Sequence, residues 1–229
     1  TAVIGPNGSG KSKLLHAMTG LLQLTEGSLE VKGLEPEQAR NDMAYVLQHM
    51  NVSPGTPMTV QEVVSMGRYS TLGVFRRARS ADKEAVRDAM GLLRIDDLAD
   101  RQVFRLSGGQ RQRVFVAQAL AQEHSLLLMD EPLTGLDIHS AQTIDHIIHE
   151  EPARGCSVVF TTHDLEEARA ADHVILVNGY VVASGPPAEA LSDQNLATAY
   201  GLGLLHPETR SSRGVIDDAH DTSHLHGGV

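Results

Sequence analysis

The segment Gly5-Pro6-Asn7-Gly8-Ser9-Gly10-Lys11-Ser12 constrains this chain more than any other. It matches the phosphate-binding loop pattern, in which glycines let the backbone curl until successive N–H groups face phosphate oxygens. Such a loop sits between a strand and a helix, whose positive N-terminal end adds to the anion site. The flanks agree. Ala2-Val3-Ile4 is a short apolar run, and residues 11–22 carry Leu14, Leu15, Met18, Leu21 and Leu22 at helical spacing. All eight loop residues are expected to line a phosphate site. Lys11 would reach the terminal phosphates, and the Ser12 hydroxyl would ligate Mg²⁺.

Two further groupings gain meaning beside that loop. Leu126-Leu127-Leu128-Met129 is wholly apolar, as in a parallel strand covered on both faces, and it ends in Asp130-Glu131. Ligands of open α/β sheets bind at the C-terminal ends of strands. Asp130 there suits Mg²⁺, and Glu131 suits orienting an attacking water. Without the loop, the pair would read equally well as a solvated acidic turn. Leu106-Ser107-Gly108-Gly109-Gln110 opens a second helix, with Ser107 as N-cap and two glycines that leave N–H groups bare. Alone, that is a plain capped turn.

Periodicity organises the rest. Residues 27–32, 43–47, 125–129 and 158–162 read as strands, and Gln48 follows the second. Residues 110–121, 140–150 and 165–171 read as helices. Segments 174–177 and 180–183 flank Asn178-Gly179, a type I′ hairpin signal. Between the α/β halves, at 1–48 and 107–206, residues 49–106 form a helical insert with helices at 60–66 and 80–93. Asp82 and Glu84 fall in the first turn of the latter, where the helix dipole favours acids. The chain opens within an apolar strand and without Met, so further N-terminal strands are expected upstream. Residues 207–229 are polar and rich in His and Asp, and are expected to stay disordered.

The ordered set of motifs resembles the nucleotide-binding cassettes of ABC proteins over about residues 1–203. The set runs from the phosphate loop through Gln48, Leu106-Ser107-Gly108-Gly109-Gln110 and Asp130-Glu131. It ends with Leu133-Thr134-Gly135-Leu136-Asp137 and Thr162-His163-Asp164. The resemblance implies an α/β fold with a RecA-like P-loop core, a mainly parallel sheet and a helical subdomain. It implies an ATPase using ATP and Mg²⁺. Glu131, His163, Lys11 and Gln48 would be catalytic, with Ser12, Gln48 and Asp130 around the metal. His163 would hydrogen-bond the γ-phosphate, whereas a lone His after a strand is ordinarily a surface residue. Ser107, Gly108, Gly109, Gln110 and Asp137 would face a second cassette, in a head-to-tail dimer that holds two ATP molecules. Lys13 stands where the family usually carries a hydroxyl beside the α-phosphate, and Gln118 where an Arg is common. The family's adenine-stacking aromatic lies upstream of the loop.

Within that family, residues 66–77 and 195–201 resemble importer cassettes for manganese, zinc or iron. A membrane permease would be gripped by the insert, with Val74, Phe75, Arg76, Arg77 and Arg79 as contacts. A separate solute-binding protein would complete the system at the cytoplasmic face of the membrane. The net charge of −10 argues against nucleic acid as a general partner. The competing reading is a soluble ABC ATPase acting on nucleic acid or the ribosome; repair members insert long coiled coils and translation members carry two cassettes in one chain, and this sequence shows one cassette and no coiled-coil insertion. The single Cys156 excludes an internal disulfide. The tail histidines His206, His220, His224 and His226 offer weak metal binding at most.

Overall fold

A computed structural model describes residues 1–48, 53, 55, 57–69 and 78–201. Its frame is a 6-stranded sheet. The strands are β1 (Ala2–Ile4), β2 (Met43–Val46), β3 (Leu126–Met129), β4 (Ser157–Thr162), β5 (Val174–Val177) and β6 (Val181–Gly185). They lie in the order β2-β3-β4-β1-β5-β6, and every pair is parallel except β5–β6. Val46 aligns with Met129, Met129 with Phe160, and Ile4 with Thr162. The C-terminal ends of β1 to β4 therefore share one edge of the sheet.

The apolar run of β3 shows why the sheet is covered twice. Leu127 and Met129 enter one core with Ile4, Ala44, Val46 and Phe160, while Leu126 and Leu128 enter another with Leu15, Val31 and Met43. Alternate side chains of a strand face opposite sides, so both faces need a helical layer. One face takes α1 (Lys11–Met18) and α2 (Pro36–Ala39). The other takes the helices that supply Val114, Val116, Ile144 and Ile147. Each such residue, once fully buried, contributes roughly 1.5–3 kcal/mol.

The insert builds α3 (Val60–Ser65) and α4 (Ser80–Leu92). Thr59 and Glu62 close a capping box at the start of α3. Val60, Val64, Val86, Met90 and Leu93 then join Val114 of α5 (Gly108–Ala121) in the core that also holds β3. Beyond α5 come α6 (Ile138–Glu150), α7 (Leu165–Arg169), α8 (Pro187–Ala190) and α9 (Asp193–Tyr200).

Three segments depart from what their residue pattern suggests. The first helix ends at Met18, so Leu21 and Leu22 are exposed and lie outside it. The Leu21 N–H bonds the His16 carbonyl and the Gly20 N–H that of Ala17, a Schellman stop that the apolar spacing concealed. Residues 27–32 form no strand. Val31 makes one isolated bridge, to Leu34, because alternation alone supplies no ladder partner. The hairpin is not type I′, which needs positive φ at both central residues. Only Gly179 has it (φ 74°), and the register shifts between Leu176 and Val177. Residues 70–77, with Val74, Phe75, Arg76 and Arg77, and the tail 207–229 lie outside the described residues.

Candidate functional site

Four strand ends converge on one cleft of about 530 Å³. It is lined by Asn7, Gly8, Ser9, Gly10, Lys11, Ser12 and Lys13 after β1, Gln48 after β2, Glu131 and Thr134 after β3, and His163 after β4. Parallel pairing produces this convergence, since it sets all four exits on one edge.

The loop is held from below and behind. Gly10 stands just before α1 with φ 104°, a conformation that L side chains rarely adopt. Gly5 passes so close to β5 that a Cβ would collide with the Val177 carbonyl oxygen. The Gly179 N–H donates to the Ser9 carbonyl at 2.9 Å, so the β5–β6 hairpin braces the loop. The buried Lys11 ammonium donates to the Gly5 carbonyl at 2.9 Å and to that of Pro6 at 3.3 Å. Its charge is thereby kept inside the loop's own curve.

A second set joins the start of α1 to β4 and the residues that follow β3. The Ser12 hydroxyl lies 3.0 Å from Asp130 Oδ1, and the Thr161 hydroxyl donates to the same oxygen at 2.6 Å. Thr161 Oγ1 also accepts from the Glu131 N–H at 2.8 Å. Glu131 sits at φ 44°, an uncommon backbone for a residue with a side chain, and such strain clusters at functional sites. Its carboxylate Oε2 accepts from Gln48 Nε2 at 2.7 Å and from the Thr134 hydroxyl at 3.3 Å, with His163 Nδ1 at 3.7 Å. The half-exposed His163 is presented by a turn that Thr162 and Asp164 shape. The Asp164 N–H donates to the Thr162 hydroxyl, and the Asp164 carboxylate caps α7 through the Glu166 and Glu167 N–H groups.

Neutral and anionic oxygens of Ser12 and Asp130, set together beside a phosphate loop, form the hard donor set that Mg²⁺ prefers. The residues present thus fit that ion. Thr161 and Thr134 are the site residues that sequence reading missed. Thr134 stood in a recognised turn, but its partner became visible only once β3 and the turn were folded.

Ser107, Gly108, Gly109 and Gln110 do not line this cleft. Ser107 and Gln110 instead form a capping box at the start of α5. Gly109 packs against Asp137 and Ser140. The Asp137 carboxylate accepts from the Ser140 N–H at 2.9 Å and its hydroxyl at 2.8 Å, capping α6. These bonds, first the backbone one, hold the Asp137 carboxyl below the ordinary range. Within one chain the two halves of the predicted nucleotide-binding set therefore stay apart.

A mainly parallel sheet with a glycine loop at one strand end, and paired carboxylates at another, defines a P-loop nucleotide-binding domain. Residues 1–134 match the family model for the ABC transporter, and the chain belongs to that family. It is 39% identical over 221 residues to the zinc transport system ATP-binding protein TroB of Treponema pallidum (strain Nichols), covering 96% of this chain and 82% of that one. A metal-chelate type ABC transporter, solved in an inward-facing conformation, matches with TM-score 0.76 and 30% identity over 87% of this chain and 76% of the other. A bacterial ABC transporter cassette solved as a dimer matches with TM-score 0.70 and 27% identity, over 81% and 84%. Among the described residues, no helix is long and apolar enough to cross a membrane.

Proposed function

We propose that this chain is the ATP-hydrolysing subunit of an ABC importer for a divalent metal ion such as zinc, manganese or iron. The supporting observation is the convergence of loop residues 7–13, Gln48, Glu131 and His163 on one cleft, with Asp130 bonded to Ser12 of that loop. The zinc-transport relative and the metal-chelate type structure support the solute class.

In this reading the loop N–H groups and Lys11 bind the phosphates of ATP. Lys11 exchanges its bonds to Gly5 and Pro6 for phosphate oxygens. Ser12 and Asp130, with Gln48, would hold Mg²⁺, which would supply charge neutralisation at the phosphates. Glu131 accepts a hydrogen bond from the attacking water and orients it. Gln48, Thr134 and the Thr161 contact to the Glu131 N–H keep that carboxylate in place. His163 donates to the γ-phosphate, and Lys13 adds charge near the α-phosphate.

Ser107 to Gln110 and Asp137 lie outside the cleft, which suits a second copy supplying them to it. Two chains then pair head to tail around two ATP molecules, and the similar cassette solved as a dimer supports pairing as such. Closure of that pair drives a membrane permease docked on the helical insert, and a separate solute-binding protein delivers the metal. The assembly works at the cytoplasmic face of the membrane.

The test is Glu131→Gln in the complex with the permease. Turnover should fall about 10²–10⁴-fold, the usual worth of a positioned base. ATP affinity should stay within about threefold, and size-exclusion should show a cassette pair trapped with ATP. Undiminished turnover, or cassettes that remain single in the presence of ATP and permease, would defeat the proposal.

A further inference from the structure

At the opposite end of the strands, three donors of unlike chemistry meet. His124 precedes β3, Glu151 follows α6, and Cys156 precedes β4. One donor atom from each lies within 4.8 Å of the others. The His124 and Glu151 side chains are 5% and 7% exposed, and Cys156 is buried.

His124 is held through one of its two ring nitrogens. Its Nδ1 lies 2.6 Å from the Gln122 carbonyl oxygen, which can only accept, so Nδ1 bears the proton. Nε2 of the neutral ring then presents a lone pair. That atom is buried with no hydrogen-bond partner, and Glu151 Oε2 lies 3.8 Å from it, beyond hydrogen-bond range. A lone pair aimed at a carboxylate is repulsive unless a cation lies between them. An Nδ1–H bonded to a backbone carbonyl, with Nε2 free, is also how metal-bound histidines are oriented.

The remaining contacts leave the donors available. Arg154 Nη1 occupies Glu151 Oε1 at 3.0 Å, so Oε2 is the oxygen turned to His124. The Arg154 charge opposes a cation and makes a full set of donors necessary. Cys156 Sγ lies 3.4 Å from the Ser157 carbonyl oxygen. Asp88, Glu123 and Arg154 line a surface cleft of about 360 Å³ that reaches the three residues, which gives an ion a path and a water a fourth position.

We propose that His124 Nε2, Glu151 Oε2 and Cys156 Sγ form a binding site for Zn²⁺, separate from the nucleotide cleft. One imidazole, one carboxylate and one thiolate are donors this borderline-soft ion takes, and tetrahedral binding brings them to about 3.3–3.8 Å apart. The donors need to close by only a fraction of an ångström at the His124–Glu151 pair. Binding exchanges the Cys156 thiol proton for the ion, releasing one proton to solvent. The ion ties the exit of α5 to the exit of α6 and the start of β4.

Cobalt(II) titration of the full nucleotide-free chain tests this, with His206, His220, His224 and His226 changed to Ala to silence the tail. Cys156 is the only cysteine, so a thiolate-to-cobalt charge-transfer band reports this site alone. The expected result is a band that saturates at one Co²⁺ per chain, bleaches on adding Zn²⁺ and is absent in Cys156→Ser. His124→Ala should weaken Zn²⁺ binding by more than about tenfold, since even outer-shell changes cost about 10–100-fold. The absence of a band in the parent chain, or unchanged Zn²⁺ affinity in His124→Ala, would overturn the site. His124 and Glu151 would then be a proton-mediated ion pair.

Discussion

Gly5 has no room for a methyl group, and its reason lies 172 residues further along the chain, in the Val177 carbonyl that a Cβ would strike. Gly5→Ala should therefore force β5 away from the loop. The expected cost is about 1–3 kcal/mol, the range for overpacking, read as a lower urea midpoint. Nucleotide affinity should fall with it, since the Gly179–Ser9 bond that braces the loop depends on the same approach. An unchanged midpoint would mean that this contact relaxes freely. The glycine pattern was legible as a phosphate loop from composition and spacing alone. The pressure from β5 was not, because no local rule connects residue 5 to residue 177. Glu131 is similar. Its acidity and position were legible, whereas its φ of 44° and its ties to Gln48, Thr134 and Thr161 arise only from the folded edge.

Arg68 shows how elements are joined. Its guanidinium, nearly buried at the end of the short 3₁₀ turn after α3, reaches Asp82 in α4 and the Ala121 carbonyl at the end of α5. Asp82 was expected to act through the helix dipole. It does more, closing the first turn of α4 by accepting from the Arg79 N–H as well as pairing with Arg68. Those two contacts, the backbone one first, hold its carboxyl below the ordinary carboxylate range. A depressed folded pKa adds stability above the unfolded value, near about 3.9, and loses it as pH falls through the folded value. Asp82→Asn should thus unfold at lower urea than the parent at neutral pH. The gap should narrow below about pH 4. A gap that is independent of pH would assign the loss to packing. Strands buried on both faces and the Ser107 cap of α5 were readable at this scale. Residues 27–32 were not, since alternation describes a surface and a ladder requires a neighbour.

For the molecule as a whole, ligand binding couples to folding. With MgATP at about 100 times its Kd, the native state gains about 2.7 kcal/mol, or roughly 5–11 °C in Tm for a domain of this size. Glu131→Gln should keep that shift and Lys11→Ala should lose most of it, as scanning calorimetry would show. A full shift in Lys11→Ala would separate Lys11 from nucleotide binding. The sequence by itself determined the family, the parallel α/β frame and nearly all the residues of the cleft, because phosphate loops and buried strands are written in short contiguous patterns. Tertiary structure alone decided that four strand ends meet in one cleft, that Ser107 and Asp137 stand apart from it within a single chain, and that His124, Glu151 and Cys156 face one another. Those relations join residues far apart in the chain, and only the order and register of the sheet bring them together.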